Sequence, residues 1–389
     1  MRLRTLLARS DWMLTLGALY LSAMGLLFIY SSSYQSYAES AGGEHARPAR
    51  VGGYAAKQAV WLGAGILAAL VVMRIGPARW REAAYPLYLC AILGLVGVLL
   101  FGNTIKGTRR WFDLGPISLQ PSEFAKVGAI LAFAAALGDG VALARWRAWL
   151  FPLAVASLPM LLVLKQPDLG TAMLFPIAAG AMLLGSNTPL KRLVALGVCG
   201  LALVAAAWTL PPPVGIRPYQ RARVTAFTQV WTAHEEDLPV RALQRDLWQL
   251  NQSQIAIGAG GMFGRGLLNG TQNRFSFVPE NSNDFIFSVI GEEWGFLGSL
   301  SVLGAYFLVF WSIGGVAVRA VDPFARNLAV GVGALLAAQA VINAAMTMAL
   351  FPITGMTLPF VSYGGSSVVV LWACVGIVQG IAARQKGEK

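Results

Sequence analysis

The chain is poor in charged residues, in histidine and in cysteine, and each shortage narrows the classes of protein that fit. Only 12% of its 389 residues are charged and 56% are hydrophobic, which excludes an ordinary soluble enzyme and is typical of a polytopic membrane protein. The two histidines, His45 and His234, lie far apart in polar segments, which argues against a histidine-based metal site or catalytic triad. The three cysteines, Cys90, Cys199 and Cys374, fall in separate apolar runs, which predicts small core residues rather than a disulfide or metal set.

Acidic residues are also scarce, and the net charge is +12. In a soluble domain this excess would suggest nucleic acid. Here the basic residues cluster in short segments between apolar runs, which is the pattern of cytoplasmic loops in membrane proteins. We therefore expect membrane lipid, and no nucleic acid, among the partners.

Hydrophobic runs predict an all-α polytopic membrane protein with ten spans and one large extracellular loop, residues 211–283, between spans seven and eight. Six basic segments at span ends, near 2–9, 79–81, 145–147, 191–192, 319–326 and 384–389, fall on one side of such a chain, so the N- and C-termini are predicted to be cytoplasmic. The spans lie near 12–31, 57–75, 84–101, 122–138, 149–164, 170–185, 192–210, 284–317, 327–350 and 363–383.

The large loop contains two local patterns. Val240, Leu243, Leu247 and Leu250 recur at helical spacing, which predicts an amphipathic helix that lies on the membrane surface or packs on the protein's own spans. The glycine-rich stretch at 258–266 does not fit a dinucleotide-binding motif, and we interpret it as a tight re-entrant turn.

Carboxylates near the start of the eighth span are candidates for chemistry, because charged groups at membrane depth are costly. Asp284 lies where the polar loop ends and could be a general base, or the N-cap of the helix that follows. Glu292 and Glu293 are neighbours inside the apolar run, and we interpret them as packing contacts.

A second constellation is Glu123 and Lys126 in LQPSEFAK. Three residues apart, they share one face at the outer end of the fourth span. They either form an internal ion pair that closes the helix end, or line a cavity in which Lys126 meets a phosphate.

Further candidates are arginines and short polar motifs. Arg110, Arg221 and Arg223 on the outer face could bind diphosphate or lipid headgroups. Ser366 belongs to the island SYGGSS at 362–367, whose glycines permit close approach of a neighbour or ligand. Asp168 is predicted to shape a loop or to cap a helix.

One more pair, Gln339 and Asn343, lies four residues apart in the ninth span and is predicted to make interhelical hydrogen bonds.

Four segments are recognisable together and in order: RRWFDLGPISLQPSEFAK (109–126), KQPDLGTA (165–172), NGTQNRFSFVPENSNDFIFSVIGEEWGFLG (269–298) and LPFVSYGGSS (358–367). The chain resembles the SEDS family (shape, elongation, division and sporulation), which includes RodA and FtsW. The likeness covers nearly the whole chain, so a single membrane domain over 1–389 is expected. GTQ at 270–272 resembles RodA, whereas the first and last segments resemble FtsW equally.

The resemblance implies a peptidoglycan glycosyltransferase that polymerises lipid II outside the bacterial cytoplasmic membrane and works with a class B penicillin-binding protein. It implies that Asp284 is the family's essential aspartate and that Glu123 and Lys126 are the acidic and basic pair of its fourth span. It also implies that Arg110 is the arginine that precedes a tryptophan in the loop before that span.

The chemistry would join a glycan carried on undecaprenyl diphosphate to the 4-hydroxyl of lipid II, with inversion at the anomeric carbon. One displacement needs a base, for which Asp284 is the candidate, and a positive charge for the leaving diphosphate. Lys126, Arg110 and Arg223 are candidates for that charge, and a divalent cation (Mg²⁺ or Mn²⁺) is left open.

Two other functions remain open at the level of the sequence. A lipid II flippase would also place polar residues in spans, although its charged groups would gather at the midplane. A membrane scaffold for wall enzymes is the third alternative.

Overall fold

The computed structural model describes residues 3–40, 53–105, 108–113, 115, 118–138, 149–186, 188–211, 216–229, 241–274 and 281–385. Ten long helices follow one another in the order predicted for the ten spans, so the all-α prediction is confirmed. They are α2 (Trp12–Ser40), α3 (Gly53–Val72), α4 (Pro77–Phe101), α5 (Pro121–Leu137), α6 (Leu150–Lys165), α7 (Leu169–Gly185), α8 (Leu190–Thr209), α12 (Ile286–Arg319), α13 (Pro323–Thr347) and α14 (Gly365–Gln385).

Seven of these described helices are long and apolar enough to cross a bilayer, namely all except α5, α6 and α7. Those three have 17, 16 and 17 residues, at the lower limit for crossing the hydrocarbon. Several ends differ from the prediction, since α2 runs on to Ser40 and α4 already begins at Pro77.

Three short strands precede α5 and were not predicted. They are β1 (Asn103–Ile105), β2 (Thr108–Asp113) and β3 (Ser118–Leu119), paired antiparallel in that order. The pairing of Phe112 with Leu119 brings β2 alongside the residues that lead into α5. The sheet therefore holds Arg110, on β2, near the start of α5.

The described part of the large loop forms helices α9 (Pro218–Gln229), α10 (Arg241–Gly260) and α11 (Thr271–Arg274), and a further short helix, α1 (Leu3–Ala8), opens the chain. Leu247 and Leu250 on α10 are fully buried in a cluster with Ala226, Phe285 and Met346. Of the two alternatives for the amphipathic helix, packing on the protein's own spans is the one observed. Of the predicted stripe, Val240 and the side chain of Leu243 lie outside the described parts.

The glycine-rich stretch is confirmed as a tight turn folded back onto α12. At Gly295, with φ +65° and ψ −157°, α12 is broken, and there the Phe296 amide donates to the Gly261 carbonyl at 2.8 Å. Gly264 adopts φ +79°, and a Cβ at this position would lie 2.1 Å from the Glu293 carbonyl oxygen. Only glycine fits this contact, so the turn and the kink depend on each other.

Burial varies strongly among the apolar helices. In α14, 89% of the most apolar window is buried, whereas α8 has no buried residue. The prediction of three core cysteines is therefore wrong for two of them, because Cys90 on α4 and Cys199 on α8 are exposed and only Cys374 is buried. An apolar run fits a lipid-facing surface as well as a core, which is why its composition could not separate them. All three cysteines are free, as expected.

Candidate active site

Asp284 lies in a turn, residues 281–285, which we call the Asp284 turn. Helix α12 begins after it, at Ile286, and its N-cap position is Phe285. The alternative that Asp284 is the N-cap is therefore wrong. Asp284 itself is partly exposed.

Three consecutive carbonyls of this turn accept hydrogen bonds from the other side of the site. Ser282 O accepts from the Tyr363 amide at 3.0 Å and Asn283 O from Ser362 Oγ at 2.5 Å. Asp284 O accepts from Asn343 Nδ2 at 2.8 Å. The main chain that carries Asp284 is thus fixed residue by residue.

A non-helical stretch between α13 and α14, the 354–357 segment, lies beside the Asp284 carboxylate. Gly355 adopts φ +71°, and a Cβ there would lie 3.6 Å from Asp284 Oδ2. The segment is held by α13, because Asn343 Nδ2 donates to Met356 O at 2.6 Å and Gln339 Nε2 donates to Thr357 O at 3.0 Å. The predicted interhelical hydrogen bond exists for Gln339, whose Oε1 accepts from Lys126 Nζ on α5, whereas Asn343 bonds to loop main chain instead.

Glu123 and Lys126 form the predicted ion pair in the first turns of α5, with 2.8 Å between Lys126 Nζ and Glu123 Oε1. Both side chains are buried, at 3% and 7% exposure for lysine and glutamate. Lys126 Nζ also donates to Gln339 Oε1 at 3.4 Å. Since Gln339 and Asn343 lie one turn apart on α13, a continuous set of contacts joins the ion pair to Asp284.

Two buried acceptors in this set have no hydrogen-bond partner within the described part of the chain. They are the second carboxylate oxygen of Glu123, Oε2, and the amide oxygen of Asn343, Oδ1. Buried acceptors are costly when left unsatisfied. Both are suited to receive a hydroxyl or an amide N–H from a bound molecule.

An apolar groove borders Lys126, with about 20 Å³ of space that a water-sized molecule can enter. Helices α5, α6, α7 and α13 line it, with Ile130, Phe133, Phe175 and Met182 among the larger side chains. Lys126 is the only charged residue on its wall among the described residues. The groove thus combines an apolar body with a cationic end.

Arg110 is brought to the edge of this region but is engaged by the turn before α7. Its Nε donates to Gln166 O at 2.8 Å, its Nη2 donates to Pro167 O, and its Nη1 lies 3.6 Å from Asp168 Oδ2. Asp168 caps α7, as predicted, by accepting from the Thr171 amide at 3.1 Å. Gly170, in the first turn of α7, would place a Cβ 2.8 Å from Thr354 O, so this assembly abuts the 354–357 segment.

The other predicted site residues differ in their distance from the 354–357 segment. Arg223 on α9 contacts this segment, since its Nη1 donates to Thr354 O at 3.4 Å. Arg221 is directed elsewhere: its Nη2 donates to Trp208 O at 2.7 Å, and its guanidinium lies over the Trp208 ring. Ser366 is buried in the first turn of α14, immediately after the residues that contact the Asp284 turn.

Glu292 and Glu293 are both fully buried, and their carboxylates accept hydrogen bonds from different neighbours. Glu293 accepts from Ser31 Oγ on α2 at 2.6 Å, and Glu292 accepts from the Gln272 amide at 2.9 Å. The interpretation of this pair as packing contacts is confirmed. The two side chains tie α2 and the loop beyond the glycine-rich turn to α12.

No group of three or more His, Cys, Asp or Glu side chains placed to hold a metal occurs in the ranges described. Asp284 would be a single carboxylate ligand in a region whose other charged groups include Lys126 and Arg223. The residues present do not form a complete protein cage for a divalent cation.

Comparisons with known proteins agree with this architecture. The family model for cell cycle proteins of the FtsW, RodA and SpoVE type matches residues 11–387. A probable peptidoglycan glycosyltransferase FtsW of Trichlorobacter lovleyi is 35% identical over 387 residues, covering 98% of this chain and 95% of the relative. The peptidoglycan glycosyltransferase MrdB of Escherichia coli K12 is 35% identical over 322 residues, covering 83% and 84%.

Solved structures give the same answer. A chain from a peptidoglycan synthase complex that coordinates polymerization and crosslinking matches with a TM-score of 0.75 and 29% identity, covering 97% of this chain and 98% of that one. The rod shape determining protein RodA of Thermus thermophilus matches with a TM-score of 0.67 and 28% identity, covering 96% of each chain. The chain is therefore a multi-pass membrane protein that belongs to the SEDS family of FtsW-, RodA- and SpoVE-like proteins.

Proposed function

We propose that this protein is a peptidoglycan glycosyltransferase that polymerises lipid II at the outer face of the bacterial cytoplasmic membrane, for elongation or for division. One observation carries the proposal: Asp284 lies beside the 354–357 segment, and the Lys126–Glu123 pair is joined to the same segment through Gln339. A carboxylate and a buried cation are the two groups that an inverting glycosyl transfer requires. The named relatives support the same activity.

In the proposed reaction Asp284 is the general base. It accepts the proton of the 4-hydroxyl on the N-acetylglucosamine of lipid II, and that oxygen bonds to C1 of the N-acetylmuramic acid on the growing glycan. The C1–O bond to the diphosphate breaks on the opposite face. The carbon inverts from an alpha link to a beta-1,4 link, and undecaprenyl diphosphate leaves with the electron pair.

Lys126 is the proposed partner of that diphosphate. Its ammonium borders an apolar groove, and a cation in such surroundings suits a headgroup of negative charge. Arg223 contacts the same segment as Asp284 and is the next candidate. Arg110 and Ser366 are proposed substrate contacts at the edge of the site, and Arg221 is a proposed contact farther away. For the two arginines, an incoming diphosphate has to compete with the carbonyls that they bind.

The mechanism uses protein groups only. If a divalent cation takes part, it would add positive charge at the diphosphate, and Asp284 is the carboxylate placed to contact it. No step of the proposed displacement is routed through such an ion.

We propose further that residues 1–389 form one membrane domain, because the main hydrophobic core draws on residues from Leu14 to Ala382. A class B penicillin-binding protein is the proposed protein partner, since a structural relative comes from a synthase complex. Membrane lipid surrounds the spans, and no nucleic acid partner is proposed.

The proposed topology places the large loop outside and both termini in the cytoplasm. In a variant without native cysteines, Thr228→Cys on α9 should react with an impermeant thiol reagent in intact cells. Val321→Cys, which is 86% exposed between α12 and α13, should not react until the cells are opened. The reverse labelling would contradict this orientation.

The activity is tested with the purified full-length chain and lipid II in detergent, with the products separated by size. Long glycan polymers are expected. A flippase or a scaffold would make no polymer in this assay. The absence of polymer from folded protein would therefore overturn the proposal.

A further inference from the structure

Ser362 and Asn343 both hydrogen-bond to the main chain of the Asp284 turn. We propose that Ser362 and Asn343 are positioning residues that set the catalytic carboxylate by gripping its main chain. This inference rests on the proposed function, because it concerns the base of the proposed reaction. It gives a role in the reaction to a serine and an asparagine that need not touch the substrate.

Ser362 is bonded in both directions. Its Oγ donates to Asn283 O at 2.5 Å and accepts from the Leu358 amide at 2.7 Å, and the side chain is 3% exposed. The Tyr363 amide adds the bond to Ser282 O at 3.0 Å. Gln58 on α3 secures this end in turn, by donating to Ser362 O and accepting from the Gly364 amide, each at 3.2 Å.

Asn343 uses one amino group for two carbonyls on opposite sides of the site. Its Nδ2 donates to Asp284 O at 2.8 Å and to Met356 O at 2.6 Å, and the residue is fully buried. It therefore fixes the distance between the residue that carries the carboxylate and the segment that lies beside it. An aspartate of the same size cannot make these bonds, because it has no N–H to donate.

The direction of the Asp284 side chain depends on these bonds because Asp284 lies before the first residue of α12. Outside a helix, no ladder of main-chain hydrogen bonds fixes its φ and ψ. A displacement of about 1 Å in a reacting group can cost about 10²-fold in rate. Loosening the grip should therefore slow the chemical step while substrate binding is kept.

The same helix sets the position of the cation. Gln339 lies one turn from Asn343 on α13 and accepts from Lys126 Nζ while donating to Thr357 O. Helix α13 thus carries both Asn343, which contacts the main chain of the proposed base, and Gln339, which contacts the proposed diphosphate partner. We therefore expect a substitution of Asn343 to lower kcat and to leave KM nearly unchanged.

The experiment compares two positioning variants with two matched controls in the purified full-length enzyme. The positioning variants are Ser362→Ala and Asn343→Asp. The control for serine is Ser22→Ala on α2, since Ser22 is also 3% exposed and its hydroxyl is likewise bonded in both directions, donating to Ala18 O at 2.8 Å and accepting from Trp372 Nε1 at 3.3 Å. The control for asparagine is Asn327→Asp, at 1% exposure near the other end of α13.

For each variant, kcat and KM for lipid II polymerisation and the thermal unfolding midpoint are measured. We expect Ser362→Ala and Asn343→Asp to lower kcat by about 10- to 100-fold with KM changed by less than about twofold. The controls should keep kcat, and Ser362→Ala, which removes one atom, should stay folded. If Asn343→Asp does not fold, Ser362→Ala decides alone.

Three results would overturn the inference while leaving the proposed function intact: wild-type kcat in Ser362→Ala, an effect confined to KM, or equal losses in the controls. A wild-type enzyme that makes no polymer would instead overturn the proposed function, and this inference with it.

Discussion

Asp284 and Glu293 are carboxylates on the same stretch of chain, but the protein holds them in different ways. Glu293 is fully buried, and its side-chain oxygens accept from Ser31 Oγ at 2.6 and 2.9 Å and from the Leu268 amide at 3.3 Å. Asp284 is partly exposed, and Asn343 binds it through its main-chain carbonyl. Ser31 and Leu268 hold Glu293 by its carboxylate, whereas Asn343 holds Asp284 by its main chain.

The difference separates two reasons for placing a charge at membrane depth. A carboxylate that receives several protein donors stabilises the packing of the segments that provide them. Asp284 is a carboxylate on a turn held by its main chain, beside a segment that Gln339, a partner of Lys126, also contacts, and this arrangement fits the reaction proposed above. Variants of the Glu123–Lys126 pair, of Glu293 and of Thr271 test this distinction.

We expect the largest loss of activity from replacing the Glu123–Lys126 pair. The pair is buried like Glu293, but Gln339 connects it to the segment beside Asp284. Replacing the pair by Gln and Met removes both charges, which is often tolerated in stability for a buried ion pair. We expect the double variant to unfold at the wild-type temperature but to polymerise about 10²- to 10³-fold more slowly, because the diphosphate loses its cation. Both single variants are measured alongside, by polymerisation and thermal unfolding. An active double variant would return the pair to a structural role.

Glu293→Leu tests the structural side of the comparison. The Ser31 hydroxyl and the Leu268 amide lose their acceptor in a buried position, so we expect a loss of about 1–3 kcal/mol in the free energy of unfolding. Polymerisation per folded molecule should stay near wild type. Denaturation in detergent gives the stability, and activity is normalised to the folded fraction. A variant of normal stability and no activity would place Glu293 with the catalytic groups.

Thr271→Val should give the smallest effect. It keeps the shape of the side chain and removes two bonds of Thr271 Oγ1: the 3.1 Å bond that it donates to Glu292 Oε1 and the exposed 2.6 Å bond that it accepts from Arg265 Nη1. The Gln272 amide still donates to Glu292 Oε1. We expect a loss of about 0.5–1.5 kcal/mol in unfolding free energy, measured in the same way. A drop in kcat with unchanged stability would contradict a purely structural role for the contact between Thr271 and Glu292.

Much of this arrangement could be predicted from the sequence, because spans and charges obey local rules. Length and hydropathy set the ten helices, and the spacing of Glu123 and Lys126 gave their ion pair. Helix ends were less predictable: α2 continues to Ser40, and short strands such as Ser118–Leu119 carry no periodicity to recognise.

The grip on Asp284 could not be predicted, because its partners are distant in sequence. Asn343 is 59 residues from Asp284, and Ser362 is 79 residues from Asn283. Polar residues inside a span signal a hydrogen bond but do not name its acceptor, so Asn343 was expected to bond across helices and bonds to loop carbonyls instead. Similarly, Asp284 suited an N-cap, and only the start of α12 at Ile286 excludes that role.

The central claim is that Asp284 performs chemistry and does not merely complete the fold. Its most direct test is the polymerisation of lipid II by purified Asp284→Asn in detergent, with thermal unfolding measured on the same sample. The amide keeps the size of the side chain but cannot take up the hydroxyl proton, so the account predicts a loss of about 10²-fold or more with an unchanged unfolding temperature. Near-wild-type polymer from this variant would contradict the account.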